Sequence, residues 1–143
     1  MTENAPRLFT VDEANRTLPL VRPIVHDLLS EHRAWRNEID QYELAVATDP
    51  GGDGVESEAA AGARSAAEAH AARIDACLRE LEEIGCLFKG FEGGLVDFLS
   101  LREDRPVYLC WRHGEDSVSH WHDVEGGFDG RRPIDAHLLS ETT

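Results

Sequence analysis

The chain has little positive charge and no long apolar run. Its 143 residues contain 14 Lys and Arg against 28 Asp and Glu, which gives a formal net charge of −14 at pH 7. Because nucleic acids and anionic lipids bind basic surfaces, we expect neither as a partner. No stretch is long and apolar enough to predict a membrane-spanning helix. The first residues also lack the basic and then apolar pattern of a signal peptide.

Cysteine is scarce as well. Cys77, Cys86 and Cys110 include no CxxC pair, and their number is odd. These features favour reduced thiols in a cytoplasmic protein over a disulfide framework. The length predicts a single domain over residues 1–143, and the hydrophobic share of 41% is enough for one modest core.

Residues 1–84 are predicted to be helical. Thr10 and Glu13 have the spacing of a capping box, which marks the start of a helix. Pro19 lacks a backbone donor and clashes with the preceding turn, so it predicts a kink or break. We therefore expect a short helix over 11–18 and a long helix over 19–47.

Two seams, each spaced alternately by three and four residues, predict an antiparallel helical hairpin. The first seam contains Val21, Val25, Leu28, His32, Trp35, Ile39, Tyr42 and Val46. The second contains Ala60, Ala63, Ala67, His70, Ile74, Cys77, Leu81 and Ile84. A flexible loop at about 49–57 joins them, and Gly85 is a typical residue to end the second helix. Antiparallel pairing brings His32 near His70, and the two either fix the helix register or act as a ligand or proton switch.

Residues 85–133 are predicted to form a β-meander, and residues 134–143 a frayed tail. Strand-forming residues occur at 95–101, 106–112 and 117–122, and a further short strand at 86–89 would make four. A sheet this small needs an apolar partner. The sequence therefore predicts an α+β fold, in which a long antiparallel helical hairpin packs on a three- or four-stranded antiparallel β-meander.

A His-x-His pair on the last of these strands predicts a metal site. His120 and His122 are two residues apart and therefore share one face of a strand. Together with Glu125 they are the first choice of ligands for zinc or iron. Further candidates are Asp97, His113, Glu115, Asp123 and Cys110, although Cys110 is also typical of a small buried apolar residue. The alternatives for the histidines are hydrogen bonds to helix carboxylates, or acid–base chemistry without a metal.

The strand register decides which way these side chains point. Turns of four residues place Leu109 opposite Phe98 on one side and His120 on the other. His120 and His122 then face the helices, and the opposite face carries Asp97, Tyr108, Cys110, Arg112 and Trp121. A slip of one residue would reverse each of these assignments.

A glycine-rich segment at 125–133 carries Arg131 and Arg132. Its backbone N–H groups and arginines are suited to hold an anion. The alternative is a loop that folds back with Phe128 as an anchor, while the arginines pair with carboxylates.

Six segments carry a resemblance to a known family. They are LFTVDEAN at 8–15, LEEIGC at 81–86, GLVDF at 94–98, LCWR at 109–112, WHD at 121–123 and GFDGR at 127–131. These segments resemble blocks of the small bacterial family catalogued as domain of unknown function 2203. The resemblance implies no established activity, and it points to Trp121, His122, Gly130 and Arg131 as signature positions.

Two functions remain open. The first, which the sequence favours, is a non-enzymatic interaction or regulatory module that self-associates through its helical hairpin as a homodimer or binds a protein partner, because the helical seam exceeds what a small sheet can cover. The second is a metal-binding protein or small metal-dependent enzyme. Its site would use His120, His122 and a nearby carboxylate, and the metal would act as a Lewis acid or activate a water.

Overall fold

The computed structural model describes residues 7–48, 55–135 and 138. Its two helices are α1 (Val11–Thr48) and α2 (Glu58–Ile84). Its strands are β1 (Leu87–Gly90), β2 (Leu95–Arg102), β3 (Arg105–Arg112), β4 (His120–Asp123) and β5 (Arg132–Pro133). The strands form one antiparallel sheet in the order β1-β2-β3-β4-β5. The predicted α+β class is confirmed, with one strand more than expected.

The chain divides into two compact units. The first takes its described residues from Met1–His26 and Arg79–Thr143 and contains the sheet. The second is Asp27–Leu78, and its described part is helical except for residues 55–57. The division falls within both helices rather than near residue 84, where the helical pattern gives way to the strand pattern.

Helix α1 begins where the sequence predicted. The Thr10 N–H donates to Glu13 Oε1 at 2.9 Å, and the Glu13 N–H donates to Thr10 Oγ1 at 3.0 Å, so the capping box is confirmed. These hydrogen bonds, the one from the Thr10 backbone above all, hold the pKa of Glu13 below its usual value.

The prediction of separate helices over 11–18 and 19–47 is wrong, because α1 continues through both Pro19 and Pro23. Buried apolar side chains lie on both sides of these prolines: Val11, Ala14, Leu18, Val21 and Val25. A continuous helix keeps all five on one buried face. Burial of the four larger side chains is worth about 1.5–3 kcal/mol each, and together this matches or exceeds the cost of roughly 3 kcal/mol for each of the two prolines.

The end of α2 agrees with the sequence. Gly85 follows Ile84 with φ of +105°, a conformation that residues with a Cβ rarely adopt. The N–H groups of Gly85 and Cys86 both donate to the carbonyl of Leu81, at 3.0 and 3.2 Å. These bonds satisfy a carbonyl that the end of the helix would otherwise leave without a partner.

The register between β2 and β3 is also as predicted. Phe98 pairs with Leu109, and Arg102 pairs with Arg105 across a two-residue turn. The turn residues Glu103 and Asp104 both have positive φ, 54° and 66°. This is the backbone pattern of the turns that match the natural twist of a hairpin.

The predicted register between β3 and β4 is wrong by one residue. Leu109 pairs with Trp121, and His120 pairs with Cys110 instead. Trp121 therefore belongs to the face of the buried core and is only 2% exposed. His120 and His122 share the other face, the one that also carries Asp97 and Cys110.

Helix α1 causes this shift by holding the connection before β4 out of the ladder. The side chain of Asn15 accepts a hydrogen bond from the Val118 N–H at 2.7 Å and donates to the Val118 carbonyl at 3.4 Å. Arg22 donates to the Asp116 carbonyl. The connection consequently runs from 113 to 119, and the strand begins at His120 rather than at 117.

Part of the predicted tail is tied to the sheet. The Ile134 N–H donates to the Ser119 carbonyl at 3.0 Å, and Asp135 forms an ion pair with Arg102 at 2.6 Å. Leu138 is fully buried. The remaining residues of 134–143, and residues 49–54 of the predicted loop, lie outside the described residues.

We expect Asn15→Ala to destabilise the protein by about 1–3 kcal/mol, because it leaves the backbone groups of Val118 without their partner. Asn15→Asp keeps the acceptor for the Val118 N–H and should cost less. The free energy of unfolding is measured by denaturant titration. Asn37→Ala, at an exposed position of α1, is the control and should be neutral or slightly stabilising. Equal effects of Asn15→Ala and Asn37→Ala would contradict this account.

Candidate metal centre

Three buried side chains form a polar cluster on the face of the sheet opposite the core. Asp97, Cys110 and His122 are 3%, 1% and 3% exposed. One ligand atom from each lies within 4.8 Å of the ligand atoms of the other two. Among the residues that the structure describes, no other group of three His, Cys, Asp or Glu side chains lies this close.

The strand pairing brings the cluster together. Asp97 and Cys110 are directly opposite across β2 and β3. His122 pairs directly with Tyr108, the residue two before Cys110 on β3, so it lies diagonally across from Cys110. The ring centroids of His122 and Tyr108 are 5.7 Å apart.

The orientation of His122 is set by its own strand. Its Nδ1 is 2.7 Å from the carbonyl oxygen of Asp123. A carbonyl oxygen only accepts hydrogen bonds, so Nδ1 carries a hydrogen. The Nε2 atom lies 3.2 Å from each carboxylate oxygen of Asp97. In neutral His122 this atom presents a lone pair, and a proton or a metal cation between it and the carboxylate is needed to make the contact favourable.

Cys110 is a neutral thiol in this surrounding. Burial raises its pKa to about 12, and the charge of Asp97 and a hydrogen bond to that carboxylate act in the same direction. A thiol nucleophile requires the thiolate, which this environment disfavours. Asp97 also lies in contact with both other groups, whereas a thiol hydrolase places the histidine between the cysteine and the acid.

A cavity of about 280 Å³ lies over the cluster. Its lining residues are Lys89, Leu95, Asp97, Tyr108, Cys110, His122, Val124, Glu125, Gly127 and Phe128. Both apolar and polar side chains therefore surround the space next to the cluster. Of the three first-choice ligands, His122 belongs to the cluster and Glu125 lines the cavity.

The other predicted ligands lie elsewhere. His120 shares the strand face of His122, as predicted, but its Nδ1 is 3.0 Å from Ser119 Oγ and it is not part of the cluster. The ring of His113 lies 5.9 Å from that of His26. Asp123 contributes its carbonyl to His122, while its carboxylate is 4.0 Å from Arg132.

The arginines predicted to hold an anion have partners in the structure. Arg131 donates to Glu115 at 2.7 Å and to the Cys110 carbonyl at 3.2 Å. Its guanidinium carbon also lies 4.8 Å from the ring centre of Phe128. Arg132 is exposed and lies over the ring of Trp121 at 5.3 Å. These contacts favour the interpretation of a folded-back loop with Phe128 as an anchor.

The histidines of the helical seams differ in their surroundings. His70 Nδ1 is 2.6 Å from Glu31 Oε1, and this hydrogen bond is the main cause of a lowered pKa of Glu31. The ring of His32 stacks on Trp35 at 5.9 Å, and burial lowers the pKa of His32. Of these contacts, the one between His70 and Glu31 joins the two helices, and it favours the interpretation that His70 helps to fix the helix register.

Sequence reasoning named all three cluster residues but did not bring them together. Asp97 is the only charged residue in the apolar run 95–101, a signal that it has a special partner. The register error placed His122 on the opposite face from Asp97 and Cys110. The cavity residues Lys89 and Tyr108 carry no motif and were missed as part of the site.

The fold and the cluster together define an α+β protein with a buried Asp–Cys–His site beneath a small cavity. The model of the family described as "Uncharacterized conserved protein (DUF2203)" matches residues 7–134. The chain therefore belongs to this family, as the resemblance predicted. No curated protein and no solved structure matches the chain. Over the residues that the structure describes, neither helix combines the length and the apolar composition needed to cross a membrane.

Alkaline pH should destabilise the metal-free protein. Burial raises the pKa values of Cys86 and Cys110 from 9.0 to about 12, so the unfolded chain loses these protons first. Stability is fully present below pH 9 and falls by up to about 1.4 kcal/mol per pH unit for each thiol between pH 9 and 12. Unfolding titrations under reducing conditions measure the slope.

The double variant Cys86→Ala with Cys110→Ala is the control, because it lacks both thiols but keeps the other titrating groups. Its stability should decline less steeply over the same pH range. Parallel slopes for the variant and the unmodified protein would contradict the assignment.

Proposed function

We propose that the protein binds a divalent transition metal ion, zinc or iron, through Asp97, Cys110 and His122. One observation carries the proposal: Nε2 of His122 points at both carboxylate oxygens of Asp97 from 3.2 Å, while Nδ1 is held by a carbonyl. A ligating histidine commonly donates its other ring N–H to a carbonyl in this way, which fixes the ring and raises its basicity.

The chemistry of the donor set supports zinc or iron. A thiolate, an imidazole and a carboxylate suit these ions, whereas calcium and magnesium prefer oxygen ligands alone. Zinc ligands in a tetrahedral site are about 3.5 Å apart, given the usual metal–ligand distances. The His122–Asp97 spacing is already close to this value, and the ligand atoms of the whole set lie within 4.8 Å of one another.

Three protein ligands leave a coordination position open, as in catalytic rather than structural zinc sites. This position would face the cavity. A metal there would supply Lewis-acid chemistry or an activated water, which supports a small metal-dependent enzyme as the finer form of the proposal. Glu125 lines the cavity and is the carboxylate available beside that position.

The competing interpretation is a purely structural network. In it, a proton held between His122 and Asp97, together with the thiol hydrogen of Cys110, would satisfy the cluster without an ion. A metal ion would displace these protons. The two interpretations therefore differ in metal content and in the protons released on binding.

The state of the cysteines bears on the cellular compartment. None of the three cysteines forms a disulfide, and all three are buried. A reducing compartment preserves such thiols and keeps Cys110 available as a ligand, which supports the predicted cytoplasmic location.

We expect the protein, purified without chelator or nickel resin, to hold about one metal ion per chain after reconstitution. Elemental mass spectrometry measures this. His122→Ala and Cys110→Ser each remove a ligand. Each should weaken zinc binding by more than the roughly 10–100-fold seen for residues that only hydrogen-bond to a ligand. Proton release in differently buffered calorimetric titrations gives a second readout.

His120→Ala is the matched control, since His120 lies on the same strand face but outside the cluster. It should retain the metal. Circular dichroism confirms that each variant is folded. A metal content far below one per chain in the unmodified protein, or equal losses in His120→Ala and His122→Ala, would overturn the proposal.

A groove in the second compact unit favours a second function, which is self-association. Within Asp27–Leu78 an apolar groove is lined by Trp35, Ile39, Tyr42, Arg64, Ala67, Glu68 and Ala71. Its large apolar residues are only partly buried, unlike Leu28 of the same seam, which is fully buried. Its two charged residues, Arg64 and Glu68, pair with each other within the chain, so the apolar residues are the surface left for a second copy related by two-fold symmetry. We therefore propose a homodimer formed through this groove.

Ile39→Asp should weaken the dimer by about tenfold or more, because it places a charge in the apolar groove. Analytical ultracentrifugation over a range of concentrations measures the dimer. Leu44→Asp is the control, because Leu44 is 57% exposed and does not line the groove. A monomer at all concentrations would contradict the proposal.

A further inference from the structure

Lys89 gives the cavity over the cluster a positive charge at its rim. It is the only lysine in the chain, and it is exposed on β1 while also lining the cavity. Its Nζ lies 6.0 Å from the ring centre of Tyr108, another lining residue. In a chain with a net charge of −14, a single ammonium at this position provides local attraction for an anion.

Glu125 lines the same cavity and carries the opposite charge. Together with Lys89 it makes the rim neutral overall. An anion with one negative charge can be held by the ammonium, but a second negative charge would meet the carboxylate of Glu125. The rim therefore distinguishes anions with one negative charge from anions with two, as well as anions from cations.

Part of the cavity wall is apolar, because Leu95, Val124 and Phe128 line it together with the polar residues. Phe128 is held in place by two guanidinium groups, those of Arg112 at 5.8 Å and Arg131 at 4.8 Å from its ring centre. These walls suit the short carbon body of a small organic molecule rather than an inorganic ion.

The volume sets the size of the ligand. At about 280 Å³ the cavity is just below the roughly 300–1,000 Å³ of sites for drug-sized molecules. It therefore has room for a ligand much smaller than a nucleotide.

We propose that this cavity binds a small organic monocarboxylate. The inference rests on the proposed metal centre, because one carboxylate oxygen would take the open metal position. Lys89 balances the ligand's charge, the three apolar side chains contact its carbon body, and Glu125 excludes dicarboxylates. The ligand class follows from the combination of one ammonium, one carboxylate and an apolar wall above the cluster.

The test uses the full chain loaded with zinc and isothermal titration calorimetry. The probes are propionate, its neutral isostere propionamide, the dicarboxylate malonate, and inorganic phosphate. We expect propionate to bind at least about tenfold more tightly than the other three, since it alone fits the charge, the size and the walls.

Lys89→Met removes the charge and keeps most of the side-chain length. It should weaken propionate about five- to tenfold and leave the zinc content unchanged. Lys89→Arg should restore most of the affinity. Glu125→Gln should strengthen both anions, and malonate by the larger factor, because its second negative charge no longer meets a carboxylate.

The outcomes separate the two proposals. A protein that does not hold zinc overturns both. If zinc is held near one per chain but propionate binds no better than propionamide or phosphate, the metal centre stands and the ligand assignment fails. Unchanged propionate affinity in Lys89→Met also overturns the assignment.

Discussion

The pair of hydrogen bonds between the Asn15 side chain and the Val118 backbone is the constraint on which the sheet depends. It anchors the connection before β4 to helix α1 and decides which residue of β4 faces Leu109. With Trp121 in that position, the large indole joins the core and His122 joins Asp97 and Cys110. A shift by one residue would exchange these two side chains and would leave both the core and the polar cluster incomplete.

Much of the fold could be predicted because it depends on local chemistry. The capping box at Thr10, the glycine that ends α2 and the tight turn after Arg102 are each decided by a few neighbouring residues. The prediction at Pro19 was wrong because the local free-energy cost of the proline is outweighed by the burial of apolar side chains along the whole first half of α1. The β3–β4 register failed for the same reason, since the residue that sets it lies about a hundred positions away in the sequence.

In the candidate site, too, the local features could be predicted and the features set by distant residues could not. Residue types alone were enough to mark Asp97, Cys110 and His122 as candidate ligands, and alternation on a strand correctly placed His120 and His122 on one face. Their grouping depended on the register and was therefore missed. The Cys–His–Asp composition also illustrates how geometry limits chemistry, because Asp97 lies in contact with both partners and His122 has no ring nitrogen directed at the thiol alone. The same three residue types thus favour a cation site over a nucleophile.

Lys89 has a practical consequence that follows from its being the only lysine. Reagents that acylate amines find a single side-chain target on this chain, and that target lies at the rim of the cavity. A molecule seated in the cavity would shield the ammonium and slow its acylation. Covalent labelling of one amine is therefore a built-in reporter of whether the cavity is occupied, and it requires neither a substitution nor knowledge of the occupant.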